Sequence, residues 1–295
     1  MMKRGPGGRR HWLRRGLTVA AAVAFAVVAY AYLTLPDVRD LATINPTTTA
    51  FMKLRESEAA SQGRALRHLH QWVRYNVISK NLQRAVIVAE DGRFFEHEGL
   101  DLEEIRKSIE INMERGAAIR GASTITQQLA KNLYLSPSKN PIRKLRELII
   151  TRRLEAALSK ARILEIYLNV IEWGDGIWGA EAASRSYFGV SASSLSREQA
   201  ALLAGAIINP RVLNPAHPTR RLLARQRIIL GRMGAVEPPA PAPVPTPTQD
   251  STSDQPDAVP GSAAPDTEEL PPSDRSPATP PAQTAEEVHT PATSR

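Results

Sequence analysis

The longest uninterrupted apolar run of the chain extends from Gly16 to Leu35 and contains no charged residue. As an α-helix it would reach ~30 Å, the thickness of a bilayer's hydrocarbon core. Beyond it, apolar residues recur at three- and four-residue spacing, the signature of amphipathic helices. Leu102, Ile105 and Ile109 form one such stripe; Ile125, Leu129 and Leu133 form a second. Ile142, Leu145, Leu148 and Ile149 form a third, and Ile163, Ile166, Tyr167 and Val170 a fourth. Start signals stand where these stripes begin: Asp101, Ser123, Asn140-Pro141, Ser159, and Ser196 with Gln199 three residues on. Gly116, Gly189 and Gly234 stand where they end. A last, basic amphipathic helix is predicted over Thr219–Met233. The pattern predicts a mostly α body with no strand pair, and Glu172–Gly176 reads as a tight turn.

The stretch from Glu237 to Arg295 breaks this pattern. Pro, Ala, Thr, Ser, Asp and Glu dominate it, and large apolar residues are almost absent. Such a composition cannot bury enough surface to offset its ordering entropy, so a disordered tail is expected. The tail is acidic, which leaves the rest of the chain more basic than the net charge of +8 suggests. An anionic partner follows: a membrane surface, a phosphorylated substrate or nucleic acid. Lys3, Arg4, Arg9, Arg10, Arg14 and Arg15 precede the apolar run. By the positive-inside rule this keeps the N-terminus cytoplasmic and exports the remainder, which sets nucleic acid aside. Ala29-Tyr30-Ala31 would suit a signal-peptidase site, but the run exceeds the ~7–15 residues of a signal core, favouring an uncleaved anchor. The chain contains no cysteine, so disulfides, thiolate metal sites and a thiol nucleophile are excluded.

The candidate chemistry begins at Val86–Ala89, an apolar run that leads into Glu90 and Asp91 and on to Phe94, Phe95, His97 and Gly99. Desolvation by such a lead-in raises a carboxyl pKa and makes a glutamate a usable base near neutral pH. Further on, Ser123, Gln127 and Lys131 fall at successive i, i+4 positions behind a glycine-bounded loop. That polar face suits a phosphorylated ligand. Arg143 and Glu147 are one helical turn apart, as a surface ion pair would be. Phe51 and Met52 suit either the lipid interface or the core. His68 and His70 lack a third ligand nearby and read as packing or surface residues.

Five segments occur in a fixed order: E-D-G-R-F-F-E-H-E-G from Glu90, G-A-S-T-I-T-Q-Q-L-A-K-N from Gly121, R-K-L-R-E from Arg143, I-L-E-I-Y-L-N from Ile163, and A-A-S-R-S-Y-F-G from Ala182. Together they resemble the motifs of the peptidoglycan glycosyltransferases, over roughly Asn45 to Pro215. N-P-T-T-T-A-F-M and I-E-W-G-D-G resemble the monofunctional branch, the biosynthetic transglycosylases. The resemblance implies a lysozyme-like, two-lobed helical domain that polymerises lipid II with inversion and releases undecaprenyl diphosphate. It implies Glu90 as general base and Glu147 across the cleft near the leaving diphosphate, acting directly or through a divalent cation (Mg or Mn). No tightly bound cofactor is expected. Lys131 matches the family's diphosphate-binding lysine, and Ser123, Gln127 and Arg143 match substrate contacts. Asp91, Phe94 and His97 match supporting positions. The family usually has arginine where this chain has Lys139, which keeps the charge but loses the bidentate fork.

The expected organisation is a cytoplasmic basic segment (1–15), an inner-membrane anchor (16–35), a periplasmic glycosyltransferase domain (36–236) and the tail (237–295). Lipid II, the nascent glycan and the membrane are the expected partners, together with cell-wall synthesis or division proteins. A glycan-cleaving enzyme would also use one glutamate in a helical cleft, but it has no need of Lys131, Lys139 and Arg143. Ser136-Pro137-Ser138-Lys139 fits S-x-x-K, yet no K-T-G follows it, so transpeptidase chemistry is not expected.

Overall fold

The computed structural model describes residues 7–238 except 66, 117–120 and 138–139. Residues 239–295 of the tail and Lys139 therefore lie outside the described residues, and so does most of the glycine-bounded loop before the second motif.

Ten α-helices form among the described residues, so the mostly helical expectation holds. The first, α1 (Gly7–Leu33), contains the apolar stretch Trp12–Tyr30, long enough to cross a membrane. Leu17, Phe25 and Leu33 are exposed along it, as suits a lipid surrounding. The body comprises α2 (Ala50–Ser61), α3 (Lys80–Glu90), α4 (Leu102–Glu114), α5 (Ile125–Tyr134), α6 (Pro141–Ala157), α7 (Lys160–Val170), α8 (Ala180–Phe188), α9 (Arg197–Ala206) and α10 (Arg220–Arg232). The caps form largely where the sequence places them. Asp101, Asn140, Ser159, Ser196 and Thr219 each accept a backbone N–H of the first turn of their helices, and Ser196 with Gln199 completes a capping box. The exception is α5. Thr124, not Ser123, is its N-cap, and Thr124 with Gln127 forms the capping box.

Three short strands appear where no strand pair was expected. β2 (Glu172–Gly174) and β3 (Ile177–Trp178) pair antiparallel across the Asp175-Gly176 turn, and β1 (Leu69–His70) adds to β3 in parallel. Segments of two or three residues are too short to show alternation, and β1 comes from a hundred residues upstream. Gly176 makes this junction possible. Its φ is +69°, and a Cβ there would lie 1.8 Å from the Arg67 carbonyl oxygen, which is backbone and cannot swing away. Gly176→Ala is expected to destabilise the domain by at least ~2 kcal/mol, from left-handed strain plus the clash. Urea unfolding measures it; an unchanged midpoint would contradict the geometry.

The core contains Trp173, Trp178, Tyr167, Phe94 and Met52, all fully buried, so Met52 belongs to the core rather than to a lipid interface. Two packing groups position the site. α3 packs on α9 and α10, while α5 packs on α2, α6 and α7. Glu90 closes α3, at the meeting of the two groups. α6 also reaches the anchor: Arg146 Nη2 donates to the Thr34 carbonyl at 2.9 Å, and the Arg153 guanidinium stacks 4.4 Å from the Tyr32 ring. These cations sit where the carbonyl end of α1 carries partial negative charge.

Candidate active site

α3 is amphipathic, with Leu82, Ala85, Val86 and Ile87 all completely buried. Its apolar face drags the last residue, Glu90, partly out of water, and the Glu90 side chain is only 12% exposed. Gln128 Nε2 of α5 donates to Glu90 Oε2 at 2.9 Å, and Arg225 Nη2 of α10 lies 3.5 Å from Oε1. Burial pushes the Glu90 pKa up. The Gln128 hydrogen bond and the charges of Arg225 and Lys131 oppose that shift without cancelling it. The group is ionisable, partly dry and open on one side to a cleft of about 670 Å³. That cleft is lined by Glu90, Asp91, Arg93, Ser123, Gln128, Arg225, Arg232 and Val236, among others.

Asp91 is a brace. Its Oδ2 accepts the backbone N–H of Ile125, the first residue of α5, at 3.0 Å. Its Oδ1 pairs with His97 Nε2 at 2.9 Å. One carboxylate thus ties the end of α3 to the start of α5 and to the loop between α3 and α4. That geometry satisfies an orphan donor of a helix N-terminus. Lys160 holds the same loop from below. Its Nζ donates to the His97 carbonyl at 2.6 Å and to Glu155 at 2.8 Å, and it lies 4.5 Å from the Phe94 ring centre. Phe94 is completely buried. Thr124 Oγ1 donates to the Gly99 carbonyl at 2.7 Å, so the cap residue of α5 fastens the far end of the loop as well.

On the other side of α5 lies a cationic group. Lys131 Nζ sits 5.7 Å from the Phe51 ring centre. Desolvation lowers its pKa, while the charges of Glu147 and Glu90 resist that and those of Arg143 and Lys144 add to it. Glu147 is almost wholly buried and accepts from Arg143 Nη1 at 2.8 Å and from Lys144 Nζ. The arrangement concentrates three cations around one carboxylate, a surplus of positive charge suited to an anion. Each Glu147 oxygen accepts from one cation, so a divalent ion there would compete with Lys144 and Arg143 for the carboxylate. Asp91, His97 and Asp101 offer ligand atoms within 4.8 Å of one another. Both Asp91 oxygens are engaged, by His97 and the Ile125 N–H, and Asp101 Oδ1 accepts the Glu104 N–H with Arg93 3.5 Å away.

The structure thus brings Glu90, Asp91 and Ser123 to the cleft lining, with His97 and the buried Phe94 behind it in the bracing loop; Lys131, with Arg143 and Glu147 beside it, lies on the other side of α5. Gln127 does not join them. It is buried, and its Oε1 accepts the Thr124 N–H at 3.0 Å, so its amide serves the helix cap. Gln128, one position later, is the glutamine that meets Glu90. Arg225, absent from the sequence expectation, comes from the last helix, 135 positions downstream. Tyr167 lay in an apolar stripe; its hydroxyl donates to Gln128 Oε1 at 2.8 Å.

The helical body thus carries a desolvated carboxylate at an open cleft, flanked by an amide donor and an arginine. Comparison with known proteins gives the family. A transglycosylase family profile matches residues 56–234. A biosynthetic peptidoglycan transglycosylase of Nitrosospira multiformis is 50% identical over 195 residues, which is 66% of this chain and 85% of that protein. The protein of the same name from Nitrosomonas eutropha is 47% identical over 234 residues, 79% of this chain and 95% of its own length. That of Thiobacillus denitrificans is 48% identical over 231 residues, 77% and 97% respectively. The chain belongs to the transglycosylase family, and within it to the biosynthetic peptidoglycan transglycosylases. It is therefore an enzyme, a glycosyltransferase.

Proposed function

We propose that this enzyme polymerises lipid II into β-1,4-linked glycan strands of peptidoglycan and has no transpeptidase activity. The observation that carries the reading is the Glu90 carboxylate, desolvated at the cleft, with the Lys131, Arg143 and Lys144 cations nearby. In this reading the growing strand is the donor, its terminal sugar C1 bonded to undecaprenyl diphosphate. The 4-hydroxyl of lipid II is the acceptor. Glu90 takes the hydroxyl proton as the oxygen attacks C1, the C1–O bond to the diphosphate breaks, and the configuration inverts from α to β. Negative charge develops on the departing diphosphate, and Lys131 stabilises it. Arg143 and Lys144, held in place by Glu147, add to the same field. Lys139, in the position where the family usually has arginine, is proposed to contact the diphosphate as well, and Ser123 to contact the substrate. No step is routed through a metal ion.

The enzyme is further proposed to be anchored in the bacterial inner membrane by α1, with its N-terminus cytoplasmic and its domain periplasmic. The basic flank and the exposed apolar helix support this orientation. The lipid-linked substrate lies in that same membrane. Cell-wall synthesis or division proteins are proposed partners.

Purified full-length protein in detergent is expected to convert lipid II to polymer and to leave preformed glycan intact. Chain cleavage without polymerisation would overturn the reading in favour of a hydrolase.

A further inference from the structure

Tyr167 sits in the middle of α7, fully buried. Its hydroxyl donates to Gln128 Oε1 at 2.8 Å, and Gln128 Nε2 donates in turn to Glu90 Oε2 at 2.9 Å. We propose that Tyr167 is a positioning residue for the base: its O–H fixes which way round the Gln128 amide sits, so that Glu90 always meets an N–H donor. The inference rests on the reading of Glu90 as the base.

The two ends of a glutamine amide are nearly equal in shape and opposite in hydrogen-bonding character. Turned over, the amide would present Oε1 to the Glu90 carboxylate, acceptor against acceptor. That arrangement is tolerable only when Glu90 carries a proton. The turned amide would also place its NH₂ against the phenol. Among the described residues the Tyr167 hydroxyl has no other acceptor, so its hydrogen would be left buried and unpaired. Burial holds the phenol's ionisation well above its ordinary range, so the hydrogen stays in place throughout the working pH range. The orientation of Gln128 and the ionisation of Glu90 are thereby linked through Tyr167.

The other groups that face Glu90 are Arg225 from α10 and Lys131 from α5, which favour the carboxylate, and its neighbour Asp91, which opposes it. None of them is replaced when Tyr167 loses its hydroxyl. Tyr167→Phe keeps the ring packing and frees the amide to turn, so protonated Glu90 is favoured over a wider pH range.

The test is the pH dependence of kcat/KM for lipid II polymerisation by the full chain in detergent. It compares the wild type with Tyr167→Phe, Gln128→Met, the double variant and Glu90→Gln. In each single variant at Tyr167 or Gln128 the acidic limb is expected to move up by ~0.5–1 pH unit. On the acidic side of both limbs kcat/KM falls about three- to tenfold, and the loss is recovered at higher pH. The double variant moves no further than Gln128→Met, because both changes remove the same constraint. A packing defect would depress activity at every pH and leave the limb where it was, and that result would overturn the proposal. So would shifts that add in the double variant. Should Tyr167→Phe fold poorly, Gln128→Met decides alone, and an unmoved limb there is a refutation. Glu90→Gln separates the two levels: full activity in that variant removes the base itself. An inactive Glu90→Gln beside an unmoved limb in Tyr167→Phe removes only the positioning role.

Discussion

Glu90→Gln is expected to lower the rate of lipid II polymerisation by about three orders of magnitude, within the range that a positioned general base contributes. Glutamine fills the same volume and still offers an oxygen to the Gln128 amide, so the cleft keeps its shape. What disappears is the proton acceptor. The acceptor hydroxyl is a poor nucleophile at neutral pH, and among the described carboxylates that line the cleft (Glu90, Asp91, Asp101 and Glu104) only Glu90 meets the Gln128 amide. Asp91 is next in sequence, but its two oxygens are engaged by the Ile125 N–H and by His97. Stability should not fall, because the substitution removes a charge that burial disfavours. The melting temperature and the polymerisation rate, measured on the same sample, check both halves. A variant that retains more than about a tenth of the wild-type rate would be incompatible with a base that contributes ~10²-fold or more.

The second large effect is expected at Lys131. Lys131→Met keeps the aliphatic packing near Phe51 and removes a charge that acts on both Glu147 and Glu90. A loss of about 10²–10³-fold in kcat is expected, the scale seen when one preorganised stabiliser of developing charge is deleted. Lys131→Arg should recover part of it, since the charge returns with a different reach. Desolvation already presses the Lys131 ammonium toward neutrality, and the Glu147 and Glu90 carboxylates hold it charged. The variants therefore separate charge from packing: a methionine variant as active as the arginine variant would exclude a role in stabilising the diphosphate. Steady-state rates on lipid II, with circular dichroism to confirm folding, give the comparison.

Much of the fold could be read from residue spacing because helices carry their own punctuation. Asp101, Asn140-Pro141, Ser159 and Ser196 all cap helices as their spacing predicts, since a cap is a local hydrogen bond over three residues. Failures occur where partners are remote or neighbours are chemically alike. Ser123 and Thr124 are equally good caps by type, and tertiary contact with the Gly99 carbonyl places Thr124 there. Gln127 and Gln128 are likewise indistinguishable by type. Once Thr124 is the cap, Gln127 is drawn into the capping box and Gln128 is left to face Glu90. Arg225 was invisible because its helix reads simply as basic and amphipathic, and nothing local marks the one arginine that reaches Glu90. Tyr167 had a signal that pattern reading discards: a hydroxyl inside an apolar stripe needs a partner. The division of labour between Glu90 and Asp91 was legible only as far as the apolar lead-in. The helix end finishes it, exposing one carboxylate to the cleft and pinning the other.

The most direct test of the central claim is the pH–rate profile of the wild-type enzyme on lipid II. A base must be deprotonated to act, so activity falls as pH falls through its pKa. Burial raises that pKa above the ordinary 4.5 of a glutamate. An acidic limb centred above that value is expected, reporting a single ionisation. A rate that stays flat down to the ordinary glutamate range would contradict it.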